Sequence, residues 1–100
     1  MTRYCIDIDG TICRTQGLEY GEATPIQVAV NKIKILKEEG HYVILFTARG
    51  SLSGKDWSAI TKRQLADWGV PYDELHFGKP AADVYIDDKA LSADQWHQSN

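Results

Sequence analysis

Alternating apolar and polar positions predict a strand near the amino terminus. In residues 3–9, Asp7 and Asp9 fall on the face opposite to three apolar side chains, because successive residues of a strand point to opposite faces. Gly10 follows and allows the chain to turn sharply. Short apolar runs with β-branched or aromatic members predict further strands over residues 42–46, 73–77 and 84–86.

Apolar positions at helical spacing predict two helices between these strands. The first begins with the capping sequence 24–27, in which Thr24 is the N-cap and Pro25 the first helical residue. It ends near Gly40, since glycine commonly terminates a helix. The second helix spans residues 56–68, and its apolar side chains are expected mostly on one side: Trp57, Ile60, Leu65 and Trp68.

This alternation predicts an α/β fold, with a parallel sheet flanked by helices and joined by right-handed crossovers. We expect a single Rossmann-like domain over residues 1–100. Residues 12–23 lack clear periodicity and are expected to form a loop or small hairpin, which we name the flap. Residues 92–100 are expected to form a short carboxyl-terminal tail. The short segments between the predicted strands leave no room for a cap domain.

Composition and charge narrow the function classes. Apolar residues make up 43% of the chain, which is ordinary for a globular domain. The net charge of −3 argues against binding nucleic acid or an anionic membrane mainly by charge. No apolar run approaches the roughly 20 residues of a membrane span, and Asp7 interrupts any signal-peptide core, so we expect a cytoplasmic protein. Cys5 and Cys13 match neither a disulfide framework nor a zinc site.

Chemically versatile side chains follow the predicted strands. The carboxyl ends of parallel strands meet at one sheet edge, which would receive Asp7, Asp9, Thr47, Lys79, Asp87 and Asp88. Clustered carboxylates repel one another, and Mg²⁺ with oxygen ligands removes that repulsion. The set favours metal-assisted phosphoryl transfer, in which one carboxylate attacks phosphorus and a second transfers a proton. A threonine hydroxyl, neighbouring backbone N–H groups and Lys79 would hold the phosphoryl oxygens.

Four segments resemble, in order, the motifs of the haloacid dehalogenase (HAD) superfamily. They are DIDGT at residues 7–11, Thr47 ending YVILFT, Lys79 in GKP, and Asp87-Asp88 after VYI. The resemblance covers residues 3–88 and implies an HAD-like fold of the capless type. It also implies an enzyme, a Mg²⁺-dependent phosphatase with an aspartyl-phosphate intermediate.

The resemblance further implies a role for each motif residue. Asp7 would be the nucleophile, and Asp9 would be the general acid/base whose backbone carbonyl also reaches Mg²⁺. Thr47, with the backbone of Ala48, would bind the phosphoryl group. Lys79 would stabilise that group and orient the acids.

The last acid pair would complete the metal site. Asp88 is favoured as the direct ligand and Asp87 as a partner of Lys79 and of a metal-bound water, with their order open. Asp9 has a further meaning, because dehalogenating members of the family lack this second acid. Its presence favours phosphatase chemistry.

The string FGKPAADVYIDDKAL is similar to a subgroup of small phosphatases linked to capsular polysaccharide biosynthesis. The expected substrate is therefore a phosphorylated sugar or related small metabolite, with a homo-oligomer covering the open site. A phosphatase for a macromolecular end, such as a nucleic-acid 3′-phosphate or a phosphoprotein, is the alternative. A receiver-like module phosphorylated on Asp7 is disfavoured, because a proton-transferring Asp9 promotes turnover.

Several other residues have less specific roles. Arg49 follows the phosphate-binding threonine, and either a substrate contact or a surface position is open for it. Cys5 is expected to be packed, as small cysteines commonly are, and Cys13 is expected to lie near the site. The three histidines have no spacing typical of a metal site and are expected to be structural or on the surface: His41, His76 and His97.

Overall fold

Strands and helices alternate along the chain as predicted. The computed structural model describes residues 1–99. In chain order the elements are β1 (Arg3–Asp7), β2 (Cys13–Arg14), a 3₁₀ turn (Tyr20–Glu22), β3 (Thr24–Pro25), α1 (Gln27–Glu38), β4 (Tyr42–Thr47), α2 (Ser58–Trp68), β5 (Glu74–Phe77) and α3 (Ala93–Gln98). The prediction of an α/β fold with a parallel sheet flanked by helices is confirmed.

The central sheet has the strand order β1-β4-β5, and both pairings are parallel. Its register places Asp7 opposite Phe46 and Thr47 opposite Phe77. The last residues of β1, β4 and β5 therefore meet at one edge of the sheet. Separately, β2 at the start of the flap pairs in an antiparallel manner with β3 just after it, so the flap forms a small hairpin, one of the two expected forms.

The hydrophobic core covers one face of the sheet. Alternate strand residues face α1 and α2 in a cluster that includes Ile6, Val43, Leu45, Val30, Ile33 and Leu65. On the opposite face, Cys5 is exposed, while Ile44 and Phe46 are half-buried. The prediction that Cys5 is packed is therefore wrong, because neither helix covers its side of the sheet. In the described part of the chain, every helix is too short or too polar to cross a membrane.

The first helix begins later than its sequence suggests. Thr24 and Pro25 belong to β3 and pair with β2, so Thr24 does not cap the helix. The N-cap is Ile26, which makes no side-chain cap hydrogen bond. Its N–H instead donates to the carbonyl of Ile12 at 2.7 Å. Strand pairing with the flap thus replaces the local capping sequence.

The buried side of α2 also differs from the prediction. Thr61, Gln64 and Leu65 are buried, whereas Ile60 is 38% exposed. Two polar residues thus occupy the inner stripe where apolar ones were expected. The helix ends as predicted at Gly69, whose φ of +71° suits glycine.

The predicted strand over residues 84–86 is absent from the described structure. Val84 and Ile86 are 72% and 94% exposed. The segment closes on itself instead, because the Tyr85 hydroxyl accepts from the N–H of Ala82 at 3.2 Å and donates to the carbonyl of Pro80. The described sheet therefore consists of β1, β4 and β5 alone.

The predicted tail contains a short helix, α3. Ser92 and Gln95 form a capping box at its start. Trp96 packs against the core, and Nε2 of His97 lies 2.7 Å from the carbonyl oxygen of Thr11. These contacts join the segment to the rest of the domain. Asn100, the last residue of the predicted domain and tail, lies outside the described residues.

Candidate functional site

A tight loop follows β1 and positions the first two acids. The strand was predicted to continue to Asp9 but ends at Asp7. The carbonyl of Ile8 then accepts hydrogen bonds from the N–H groups of residues 11, 12 and 13. Gly10 allows this loop through its φ of +86°. Asp7 therefore lies at the sheet edge, and Asp9 lies in the loop beside it.

Asp7 is a partly buried carboxylate next to one cation. Nζ of Lys79 lies 3.5 Å from its Oδ1, and the Asp7 side chain is 35% exposed. Burial raises the pKa of Asp7, because desolvation disfavours the charged form, while the Lys79 charge and hydrogen bond oppose that increase. The sequence-predicted nucleophile and lysine are thus brought together.

Asp9 is held by a buried guanidinium group. Nε of Arg49 donates to Oδ2 and Nη2 donates to Oδ1, both at 2.9 Å. The hydroxyl of Thr15 donates to Oδ1 at 2.5 Å, and Sγ of Cys13 lies 3.5 Å from the same oxygen. Burial alone would raise the pKa of Asp9, but the Arg49 and Thr15 hydrogen bonds and the Arg49 charge outweigh it and lower the pKa. Asp9 is therefore a firmly positioned carboxylate.

Arg49 is buried, which excludes the surface position that the sequence left open for it. Its side chain has an exposed fraction of 0%. Nη1 donates to Oγ1 of Thr61 at 3.0 Å and to Oε1 of Gln64 at 2.7 Å. Neither residue was predicted from the sequence to take part in the site. In the sequence they are marked only as two polar residues three positions apart on a helix. Such a pattern is more typical of an exposed helix face than of a buried one.

Thr47 and Lys79 meet through their backbones. The N–H of Lys79 donates to the carbonyl of Thr47 at 3.1 Å, and the hydroxyl of Ser51 donates to the Lys79 carbonyl at 2.6 Å. Thr47 is buried, and its Oγ1 accepts from the N–H of Arg49 at 3.1 Å. Ala48 follows Thr47 in the chain. Its carbonyl accepts a hydrogen bond from the N–H of Ser51 at 2.9 Å. Phosphate binding by Thr47 and Ala48 stays a prediction.

The second acid pair is not brought to this edge. Asp87 and Asp88 are exposed, and Oδ1 of Asp87 accepts from the N–H of Lys89 at 2.8 Å in a local turn. Within residues 1–99, no group of three or more His, Cys, Asp or Glu side chains is placed to hold a metal ion. Because residues 84–86 do not pair with the sheet, the four predicted ligands do not gather, and the residues as arranged do not fit a Mg²⁺ centre.

Cys13 is near the site, as expected, and is buried. Burial raises the pKa of its thiol to about 11, with smaller contributions from Thr15, Asp9 and Arg49. The thiolate is the nucleophilic form of cysteine. Cys13 therefore supports the loop as a neutral thiol.

A cavity of about 190 Å³ opens next to the loops that follow β4 and β5. The residues that line it are Arg49, Gly50, Ser51, Lys55, Asp56, Trp57, Phe77 and Gly78. Gly50 is required here, since its φ is +83° and an added Cβ would lie 2.3 Å from the carbonyl oxygen of Lys55. The cavity thus adjoins the segments that carry Thr47 and Lys79.

Comparison with known proteins shows structural likeness. A crystallised target protein from Vibrio cholerae matches with a TM-score of 0.88 and 26% identity, over 100% of this chain and 90% of that one. A chain in the Pnkp1/Rnl/Hen1 complex matches with a TM-score of 0.63 and 20% identity, over 97% of this chain and 33% of its own. A chain of the Pnkp1/Rnl/Hen1 RNA repair complex matches with a TM-score of 0.62 and 22% identity, over 84% of this chain and 27% of its own.

The two complex chains share the fold, and this chain spans about a third or less of their length. No protein-family model and no curated protein sequence matches the chain.

Proposed function

We propose that the protein is an HAD-type phosphatase that hydrolyses phosphomonoesters through an aspartyl-phosphate at Asp7. The observation that carries the proposal is the pairing of Asp7 with Lys79 at the carboxyl edge of a parallel sheet, 3.5 Å apart. Asp9 lies in the same loop with its carboxylate oriented by Arg49. A nucleophile, a cation and an oriented second acid are the groups that this reaction uses.

In the first step, an oxygen of the Asp7 carboxylate attacks phosphorus, and the bond from phosphorus to the leaving oxygen breaks. Asp9 enters this step in its protonated form, although Arg49 and Thr15 lower its pKa, and it donates that proton to the leaving oxygen, so the leaving group departs as an alcohol. In the second step, water attacks the phosphorus of the aspartyl-phosphate and transfers a proton to Asp9. The bond between phosphorus and the Asp7 oxygen breaks, inorganic phosphate leaves, and Asp7 is again ionised and Asp9 again protonated. Lys79 offsets the negative charge on the phosphoryl group in both steps.

The resemblance to the HAD superfamily also implies Mg²⁺, held by Asp7, Asp9, Asp88 and Asp87. The arrangement of the described residues does not provide that set of ligands. No step above therefore depends on the ion, and the magnesium requirement stays a prediction from the sequence.

A phosphorylated sugar or related small metabolite is the proposed substrate class. What supports this class is the small cavity of about 190 Å³ beside the Thr47 and Lys79 segments, which has both Lys55 and Asp56 in its lining. A homo-oligomer that covers this open side and a cytoplasmic location are part of the same proposal.

A nucleic-acid end is the second candidate substrate. What favours it is the structural likeness to chains of a complex described as one for RNA repair. The net charge of −3 acts against it, because phosphate backbones are bound mainly by excess Lys and Arg.

Phosphate release from sugar phosphates, nucleotides, phosphopeptides and 3′-phosphorylated oligonucleotides, with Mg²⁺ or with EDTA, tests the proposal. We expect turnover of a small sugar phosphate, and intact-mass analysis of quenched reactions should detect one phosphoryl group on Asp7. Turnover confined to the oligonucleotide would favour the second candidate. Hydrolysis that persists in Asp7→Asn would refute the nucleophile assignment, and stable phosphorylation without turnover would favour a receiver module.

A further inference from the structure

All three nitrogen atoms of the Arg49 guanidinium group donate hydrogen bonds inside the protein. Nε and Nη2 donate to the two oxygens of Asp9 at 2.9 Å. Nη1 donates to Thr61 and Gln64 on α2, and Nη2 also lies 3.8 Å from Sγ of Cys13. With a side-chain exposure of 0%, this arginine has no surface role. Its hydrogen bonds go to Asp9 in the loop and to α2.

The same group connects the site to the flap. Nε2 of Gln64 donates to the carbonyl of Tyr20 at 2.6 Å, and the Arg49 guanidinium lies 4.9 Å from the centre of the Tyr20 ring. The Tyr20 ring in turn packs edge-on against Trp57, with ring centres 4.9 Å apart. We define Asp9, Arg49, Thr61, Gln64 and Tyr20 as the Arg49 clamp.

A buried ion pair of this kind has an uncertain value for stability, because the cost of desolvation can equal or exceed the attraction. Its geometric value is clearer. A planar guanidinium with two parallel hydrogen bonds fixes both the position and the plane of a carboxylate. A lysine would supply the charge but could not hold the carboxylate in the same plane.

We propose that Arg49 is a positioning residue for the reaction: it fixes the plane of the Asp9 carboxylate, and Thr61 and Gln64 fix Arg49. This inference rests on the proposed phosphatase function, in which Asp9 transfers a proton. Arg49 itself does not contact the reacting phosphorus. It acts on catalysis through Asp9, and α2 acts through Arg49.

The central test compares Arg49→Lys with Arg63→Lys. Arg63 is an exposed arginine on α2 and serves as the matched control. We expect kcat of Arg49→Lys to fall about 100-fold with KM unchanged, because a displacement of about 1 Å in a catalytic group costs a factor of that size. Arg63→Lys should keep both constants. Wild-type kcat in Arg49→Lys would overturn the inference and leave the proposed function intact.

Two further variants keep the test informative if Arg49→Lys does not fold. Thr61→Val and Gln64→Met each remove one hydrogen-bond acceptor from Nη1 without touching Asp9. We expect each to lower kcat by a smaller factor than Arg49→Lys, again with KM unchanged. Unchanged kcat in both variants would overturn the inference.

A readout independent of turnover comes from the side-chain Nε–H signal of Arg49 in ¹H–¹⁵N NMR spectra. The clamp predicts slow solvent exchange of this proton and a shift of its signal in Asp9→Asn, whereas the Arg63 signal should exchange rapidly and not move. Fast exchange at Arg49 would refute the clamp. A protected signal in a wild-type protein without phosphatase activity would instead refute the proposed function and make the clamp structural.

Discussion

Two pairs of acids follow apolar stretches of this chain, and their environments are opposite. Asp7 ends β1 and Asp9 lies in the loop after it, and their side chains are only 35% and 25% exposed. Asp87 and Asp88 follow a run of similar composition but are exposed. The difference comes from strand pairing: β1 pairs with β4 along its whole length, whereas residues 84–86 have no strand partner among residues 1–99. In this protein, the acids after an apolar run lie in the candidate site only where that run pairs with another strand.

The first pair also shows how neighbouring acids can be given different properties. Burial raises the pKa of Asp7, and the single lysine nearby only partly opposes it. Burial acts in the same direction on Asp9, but the hydrogen bonds from Arg49 and Thr15 outweigh it and lower the pKa of Asp9. For Asp9, the hydrogen bonds and charge of Arg49, together with the Thr15 hydrogen bond, outweigh burial; for Asp7, burial outweighs Lys79.

The largest expected effect separates Asp7 from an ordinary surface aspartate. Asp7→Asn removes the proposed nucleophile and should reduce kcat by about 10⁴-fold or more. Asp67→Asn, on the exposed side of α2, should leave kcat unchanged. Phosphate release under saturating substrate, together with circular dichroism to verify folding, measures both. Comparable rates for the two variants would remove Asp7 from the reaction.

The second prediction compares the two acid pairs by stability. Asp9→Ala leaves Arg49 charged and buried without its partner, which should cost about 3–5 kcal/mol of unfolding free energy. Asp87→Ala changes an exposed residue and should stay within about 0.5 kcal/mol. Urea denaturation of both variants measures the difference. Equal small losses would show that the ion pair of Asp9 and Arg49 is not formed.

The third prediction concerns pH within the first pair. Asp7 has a raised folded-state pKa, so its contribution favours the folded protein only while it is protonated, and the ionised form destabilises the fold at neutral pH. Asp7→Asn should therefore raise the unfolding free energy at pH 7. The gain should disappear as the pH falls below the ordinary carboxyl pKa of 3.8.

Asp9 should show the opposite sign. Its folded-state pKa is depressed, so its stabilising contribution is present above 3.8 and is lost as the pH falls through the lower, folded-state value. The stability deficit of Asp9→Asn should therefore shrink in acid. Urea denaturation of wild type and both variants between pH 7 and about pH 3 provides the measurement. Parallel pH profiles for the two variants would contradict the assigned shifts.

The smallest expected effect tests the environment of the second pair. Ile86 is 94% exposed, so Ile86→Lys should change the unfolding free energy by less than about 0.5 kcal/mol. As the matched control, Ile8→Ala in the core should cost about 2–5 kcal/mol. Thermal or urea denaturation compares them. A cost near that of Ile8→Ala would mean that residues 84–86 pack in the folded protein.

Most of the elements could be predicted because their signals are local. Alternation along β1, the apolar run of β4 and the glycine that ends α2 each act within a few residues. The meeting of Asp7 with Lys79 followed from the same reasoning, since strands of a parallel sheet end at one edge. These predictions did not require knowledge of any distant contact beyond the sheet itself.

Two of the wrong predictions share a different cause. Thr24 and Pro25 have a good capping sequence, yet pairing with residues 13 and 14 draws them into a strand. Ile60 fits an apolar helix face, yet Thr61 and Gln64 turn inward because Arg49 lies there with donors to satisfy. In both cases, hydrogen-bonding partners outside the local pattern decided the outcome.

By itself, the sequence determined the α/β fold class, the strand ends that carry Asp7 and Lys79, and the chemistry that those residues favour. Only the tertiary structure decided that Arg49 is buried and grips Asp9, and that Asp87 and Asp88 stay outside the site. The physical reason is the distance along the chain over which each effect acts. Periodicity and turn residues act between near neighbours, whereas burial of a charge depends on whether partners from distant segments meet it with complementary hydrogen bonds.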